Sequence, residues 1–95
     1  MEDREIIQLF FVRDERAIAE SRDKYGKYCD GIAAGILHTR EDREECVSDT
    51  WLRAWQTIPP QNPVSLKAYL GRLCRCFAID RYRHLRRRKR SRDME

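Results

Sequence analysis

Apolar residues recur along this chain at spacings of three and four residues, the repeat of an α-helix with one buried face. Four stretches show this pattern, and the prolines lie together at positions 59, 60 and 63 instead of inside the stretches. We therefore predict an all-α fold, a compact bundle of about four helices that forms a single domain over residues 1–95. The predicted helices span about residues 3–12, 14–37, 40–57 and 65–88.

Polar residues that favour helix N-termini stand at three of these boundaries. Asp14, Thr39 and Ser65 each precede an apolar stretch, and Asp42 follows Thr39 at the spacing of a capping motif. The segment 58–64 cannot continue a helix, because its prolines lack an N–H donor and force the preceding residues toward extended backbone. We predict a stiff proline loop there.

The predicted apolar faces define a candidate core. In the second helix, Gly31, Ala34 and Gly35 are small enough to permit close approach of a neighbouring helix. The stripe of the third helix consists of Val47, Trp51, Ala54, Trp55 and Ile58. The stripe of the fourth helix consists of Leu66, Leu70, Leu73 and Phe77.

Charge is distributed unequally along the chain, whose net charge is +4. Residues 1–62 carry nine Lys or Arg against thirteen Asp or Glu, a net charge of −4, whereas residues 63–95 carry eleven against three, a net charge of +8. A concentration of one sign indicates a partner of the opposite sign. Nucleic acid is the first candidate partner for the basic part.

Each of the two C-terminal helices presents one sign of charge away from its apolar stripe. Like charges at helical spacing repel one another, so the acidic row suggests a basic partner. This row consists of Glu41, Asp42, Glu44, Glu45 and Asp49. The opposite side of the fourth helix carries Arg72, Arg75, Ile79, Arg83 and Arg86. Beyond it, the basic tail 86–92 is expected to become ordered only against phosphate.

Several classes of function lack support in the sequence. No run of about 20 apolar residues is present, so we expect no membrane segment. We find no carboxylate pair, Ser/His/Asp set or phosphate-binding glycine loop, and we expect neither enzyme activity nor a cofactor. Cys74 and Cys76 with His38 offer a weak zinc motif. Free thiols in a reducing cytoplasm are the favoured interpretation, and zinc remains the alternative.

Three segments, taken in order, resemble a known family. They are an acidic helix that ends in a Leu-x-x-Trp step (42–55), a proline loop (58–60), and a helix that runs from Ala-Tyr-Leu through Ala-Ile-Asp to Arg (68–83). Together they resemble region 2 of the extracytoplasmic-function (ECF) sigma factors of the sigma-70 family. The resemblance covers nearly the whole chain.

The resemblance implies a transcription initiation factor domain that binds core RNA polymerase and recognises and melts the minus-ten promoter element. In that family the acidic helix docks on the clamp helices of the largest polymerase subunit, and the loop and last helix bind the non-template strand. An anti-sigma factor is a further expected partner. The matching polymerase-binding positions are Asp42, Glu45, Ser48, Asp49 and Arg53. The matching DNA-binding positions are Asn62, Ser65, Lys67, Tyr69, Arg72, Arg75, Cys76, Ile79, Arg83 and Arg86.

At two positions the sequence departs from the family pattern, which affects the residue roles that the resemblance implies. The family commonly has Gln where Ser48 stands and Asn where Cys76 stands, and a thiol cannot donate and accept hydrogen bonds as an amide does. Family members also carry a second domain for the upstream promoter element, which we do not expect within residues 1–95. The alternative function is a protein-interaction module of the same fold that does not melt promoters.

Two residues have a second interpretation. Tyr69 either stacks on an exposed base or is a half-buried core residue. Arg83 either holds a phosphate or pairs with Asp80, which lies three residues earlier on the same helix.

Overall fold

Four α-helices make up the fold in the computed structural model, which describes the backbone of residues 1–93 and the side chains of residues 1–88. They are α1 (Asp3–Phe11), α2 (Arg16–Ile36), α3 (Arg40–Thr57) and α4 (Leu66–Asp93). The predicted all-α class is confirmed. The α4 backbone continues five residues past the expected end at residue 88, since the arginine-rich sequence contains good helix formers and no proline.

The core lies where α2, α3 and α4 pack together, and α1 covers one end against α2. On α4 the buried residues are Leu66, Leu70, Gly71, Cys74 and Ala78, whereas the predicted core residues Leu73 and Phe77 are only partly buried. The Cys74 side chain contacts both neighbouring helices, since its Sγ atom lies 3.3 Å from Cys29 O on α2 and 3.9 Å from Cys46 Sγ on α3. The centre of the buried face is therefore rotated by roughly 50–70° from the predicted stripe, less than the 100° between successive residues of a helix.

Two of the three predicted caps, Thr39 and Ser65, are present as side-chain hydrogen bonds, whereas the N-cap of α2 is Glu15, which makes no such bond. Thr39 Oγ1 accepts the backbone N–H of Asp42 at 3.2 Å, and Ser65 Oγ accepts that of Ala68 at 3.1 Å. Asp14 Oδ1 accepts the N–H of Arg16 at 3.0 Å, although α2 begins two residues after Asp14. These bonds satisfy donors that have no partner within the first turn of a helix.

Glycine allows close helix packing at a different place from the one predicted. A Cβ atom at Gly31 or Gly35 would meet nothing within 4 Å, so the prediction of close approach at these residues is wrong. Both glycines are exposed on α2. The close approach occurs at Gly71 on α4, where an added Cβ would lie 2.8 Å from the Tyr28 hydroxyl oxygen.

The turn between α1 and α2 contains an arginine in the left-handed backbone region. Arg13 has a φ of 59°, and its N–H donates to Phe10 O while the N–H of Asp14 donates to Leu9 O. This pair of bonds is a Schellman motif, which usually has glycine at the left-handed position. An arginine there costs about 1–2 kcal/mol of backbone strain.

The Arg13 side chain compensates for this strain by joining the turn to the end of α3. Its Nη1 atom donates to the carbonyl oxygens of Trp55 at 2.8 Å and Ile58 at 3.0 Å. Its guanidinium carbon lies 3.7 Å from the centroid of the Trp55 ring, which is a cation–π contact. These carbonyls belong to the C-terminal turn of α3, where a cation is favourable.

Two substitutions of Arg13 are expected to separate the cost of its backbone strain from the gain of its side-chain contacts. Arg13→Ala should lower the free energy of unfolding by about 2 kcal/mol, because the hydrogen bonds and the cation–π contact are lost while the strain remains. Arg13→Gly should cost about 1 kcal/mol less than Arg13→Ala, because glycine adopts the same backbone without strain. Urea unfolding of the three proteins measures both differences. Equal stability of the two variants would show that the strain is unimportant.

Candidate interfaces on the two C-terminal helices

The side of α4 opposite the core carries an exposed basic strip. Arg72, Arg75, Arg83 and Arg86 are all exposed at helical spacing along it, as predicted. Ile79 is half-buried between them, and the Cys76 thiol is exposed on the same side. We call these six residues the α4 strip. Its guanidinium groups are directed away from the bundle and are available to a polyanion.

Arg83 does not form the alternative ion pair. No contact within 4.0 Å joins its guanidinium to Asp80 among the described side chains. Both residues instead line a shallow depression of about 470 Å³ together with Arg86 and Arg87. Three cations around one depression create a locally positive surface that suits a phosphate group.

The acidic side of α3 is exposed along a separate surface. Glu45, Ser48 and Asp49 are exposed, as predicted, and so is Arg53. Leu52 lies among them with 54% of its surface exposed, and sequence reasoning missed it as a candidate. A leucine outside the apolar stripe of an otherwise polar helix face was the available signal. We call these five residues the α3 face.

Asp42 differs from the other acidic candidates because its carboxylate is used within the chain. It lies 2.9 Å from Nη2 of Arg81 on α4, and it also accepts the Thr39 hydroxyl at 2.7 Å. The Thr39 hydroxyl and the Arg81 guanidinium hold the pKa of the Asp42 carboxyl below its usual range. Only 14% of the Asp42 side chain is exposed.

The expectation that the acidic row needs a basic partner to relieve its repulsion is therefore wrong in part. Arg81 Nη2 also lies 3.1 Å from Glu45 Oε2, and Arg40 pairs with Glu44 at 2.8 Å. Among the described side chains, Asp49 has no ion pair within 4.0 Å. Cations of the same chain relieve much of the repulsion, and Asp49 retains an available charge.

Polar contacts join α3 and α4 at both ends and establish that the two helices are antiparallel. Asp42 and Arg81 meet at one end, and the hydroxyls of Thr57 and Tyr69 meet at 2.6 Å at the other. Tyr69 is thus half-buried, with its hydroxyl bound to α3. Between the two ends, the Arg53 guanidinium lies 5.5 Å from the centroid of the Phe77 ring.

The proline loop and the start of α4 place the remaining candidates in different surroundings. Lys67 lies about 140° around the helix from Arg72, and its Nζ atom is 4.8 Å from the Tyr28 ring centroid. It is therefore not part of the α4 strip. Asn62, Pro63 and a fully exposed Val64 form one wall of a groove of about 330 Å³.

The other wall of this groove is formed by α1, which sequence reasoning did not associate with the loop. Its lining residues on that side are Asp3, Arg4, Ile7, Gln8 and Phe11. The groove thus combines apolar side chains, a cation and an amide next to the loop.

The cysteines do not converge as the zinc alternative requires. Cys74 is buried and Cys76 is exposed on the other side of α4. Cys46 Sγ lies 3.9 Å from Cys74 Sγ, and Cys74 Sγ donates to the carbonyl of Cys29 at 3.3 Å. Hydrogen bonding with Cys74 and burial raise the pKa of the Cys29 and Cys46 thiols, which therefore stay protonated.

Within the described residues, no group of three or more His, Cys, Asp or Glu side chains is arranged to hold a metal ion. In the same part of the chain, no helix combines the length and the apolar character needed to cross a membrane.

Comparison with known proteins gives one match. A family model described as Sigma-70 region 2 matches residues 22–90, a range that includes α3, most of α2 and most of α4. Neither the curated proteins nor the solved structures compared with the chain give a match. The matched range contains every candidate polymerase-binding and DNA-binding residue named above, whereas α1 lies outside it.

Proposed function

The chain belongs to the sigma-70 region 2 family, and from that premise we propose that it binds core RNA polymerase through α3 and recognises and melts the minus-ten promoter element through α4 and the preceding loop. Domains of this family are non-enzymatic transcription initiation modules that act in polymerase binding and promoter melting. The observation that carries the assignment is the exposure of opposite charges on two separate surfaces, the α3 face and the α4 strip.

The α3 face suits a basic protein surface such as the polymerase clamp helices. Asp49 supplies an available carboxylate, and Leu52 supplies exposed apolar area beside it. Apolar contacts surrounded by charged groups are typical of protein–protein interfaces, where charge complementarity provides specificity. Ser48, which stands where the family commonly has Gln, offers a shorter hydrogen-bonding group at the same place.

The α4 strip suits the phosphates of promoter DNA. Arginine contacts to phosphate fix the register of a protein on DNA and make its affinity depend on salt. Base flipping costs a few kcal/mol, which phosphate contacts and stacking must offset. We propose that the groove beside Asn62 and Val64 holds an unstacked base of the non-template strand. Ser65 supports this site by capping α4, which follows the loop.

Further parts of the proposal concern the cellular setting. We propose that the protein is an ECF-type bacterial sigma factor domain that acts in the cytoplasm, with catalysis carried out by the polymerase. Control by an anti-sigma factor fits an exposed α3 face, because a partner that covers this face would exclude polymerase.

A titration with single-stranded DNA tests the DNA-binding part. A fluorescent non-template minus-ten strand should bind the isolated chain at low salt, and the affinity should fall steeply as salt rises, because several phosphates are neutralised. A scrambled strand of equal length is the control for base recognition, and fluorescence anisotropy is the measurement. Absence of binding even at low salt would favour the alternative function, a protein-interaction module. Cys76 in place of the family Asn is the observation that favours that alternative.

A further inference from the structure

Arg81 connects the DNA-binding helix to the acidic side of α3. Its Nε atom donates to Asp42 Oδ1 at 3.0 Å, and its Nη2 atom lies 2.9 Å from the same oxygen. The same Nη2 atom lies 3.1 Å from Glu45 Oε2. A single guanidinium thus joins two carboxylates that are three residues apart on α3. The Asp42 carboxylate in turn raises the pKa of Arg81, and an arginine guanidinium carries its charge throughout the physiological pH range.

Asp42 has little capacity left for an outside partner. One of its oxygens accepts from Arg81, the other accepts the Thr39 hydroxyl, and only 14% of the side chain is exposed. A carboxylate engaged in this way would have to give up two internal partners before it bound a cation of another protein. Its position instead fixes the Arg81 side chain, which leaves α4 toward the start of α3.

Glu45 is the most exposed of the residues that Arg81 connects. Of its side chain, 55% is exposed, so the carboxylate held by Arg81 remains at the surface of the α3 face. A free glutamate side chain samples many rotamers, and ordering it at an interface opposes binding. A glutamate that is already ordered in the free protein avoids part of this cost.

We propose that Arg81 is a positioning residue for polymerase binding: Asp42 fixes Arg81, and Arg81 presents the Glu45 carboxylate to a basic group of the polymerase. This inference rests on the proposed function, which assigns the α3 face to polymerase. It changes the role of Asp42 from a direct contact to a support. It also adds to that surface a residue of α4 that the sequence did not indicate.

A competing role for Arg81 predicts the opposite effect on polymerase binding. If its cation merely occupied the carboxylates, polymerase would have to displace it, and its removal would strengthen binding. A change in the charge of the binding surface acts mainly on the association rate, whereas loss of a well-oriented contact acts on the dissociation rate. Arg81→Lys separates the two roles, because lysine keeps the charge but cannot bind both carboxylates through a planar guanidinium.

The test measures binding of the full chain to core RNA polymerase by surface plasmon resonance. For Arg81→Lys we expect the dissociation rate to rise by about 2- to 10-fold, the size expected for ordering one long side chain, with an unchanged association rate. Asp42→Asn is the second variant and should raise the dissociation rate in the same direction, because it loosens Arg81. Circular dichroism at the measurement temperature checks that each variant is folded.

A double-mutant cycle distinguishes positioning from a general effect on the fold. In a Glu45→Gln background, Arg81→Lys should have no further effect on the dissociation rate, because the carboxylate it orients is absent. An equal effect in both backgrounds, no effect in either, or tighter binding of Arg81→Lys would overturn the proposal. Asp49→Lys serves as the reference. If it also leaves binding unchanged, the assignment of the α3 face to polymerase fails; if it abolishes binding while Arg81→Lys has no effect, only the role of Arg81 fails.

Discussion

Charge reversal at Asp49 is expected to remove most of the association with core RNA polymerase while leaving DNA binding intact. Asp49 is exposed on the α3 face, and no cation of the described side chains pairs with it. Asp49→Lys places a like charge against a basic partner, which costs several kcal/mol. We therefore expect the dissociation constant for polymerase to rise by roughly 30-fold or more.

Arg75→Ala is the matched variant on the other surface. Arg75 is exposed on the α4 strip, so its loss should weaken binding of the minus-ten strand. The slope of log affinity against log salt concentration should fall by about one, because one phosphate contact is lost. Polymerase affinity should stay at the wild-type value. Anisotropy with DNA and surface plasmon resonance with polymerase measure the two affinities of each variant. If both substitutions impaired the same partner, the assignment of separate surfaces would be wrong.

Leu70→Ala is expected to cause the largest loss of stability. Leu70 is fully buried on the inner side of α4, and truncation of a buried leucine leaves a cavity that costs about 2–5 kcal/mol. In a 95-residue chain this is a large part of the free energy of unfolding. Urea unfolding should show a shift of the midpoint to a much lower concentration.

Leu52→Ala is the same substitution at an exposed position and serves as the control. Because more than half of Leu52 is exposed, its truncation should change the free energy of unfolding by no more than about 0.5 kcal/mol. Its effect should appear in weaker polymerase binding. Comparable destabilisation by both variants would mean that Leu52 contributes to the core and not to an interface.

Local features of the fold were predictable from the sequence. The starts of α3 and α4 depend on Thr39 and Ser65, whose hydroxyls bond to backbone groups three residues away. The α4 strip follows from helical periodicity alone, since residues spaced three or four apart share one side. Interactions within one helix, or between neighbours in sequence, need no knowledge of how helices pack.

Features that depend on packing between distant segments were not predictable in the same way. Arg13 binds the carbonyl of Trp55 from 42 residues away, and Arg81 binds Asp42 from 39 residues away. Periodicity defines the angle of a side chain around its own helix but not which helix lies beside it. For the same reason Gly31 was expected at a helix contact, which the structure has at Gly71.

The length of α4 limits how many nucleotides of a bound nucleic acid can lie along the helix. Twenty-eight residues in one continuous helix extend over about 42 Å, which equals the rise of roughly twelve stacked base pairs. A DNA strand that contacted both ends of α4 would be bound over slightly more than one turn of a double helix. If α4 binds along DNA as proposed, shortening the helix by whole turns would change the span of DNA that it can contact in steps of about one and a half base pairs.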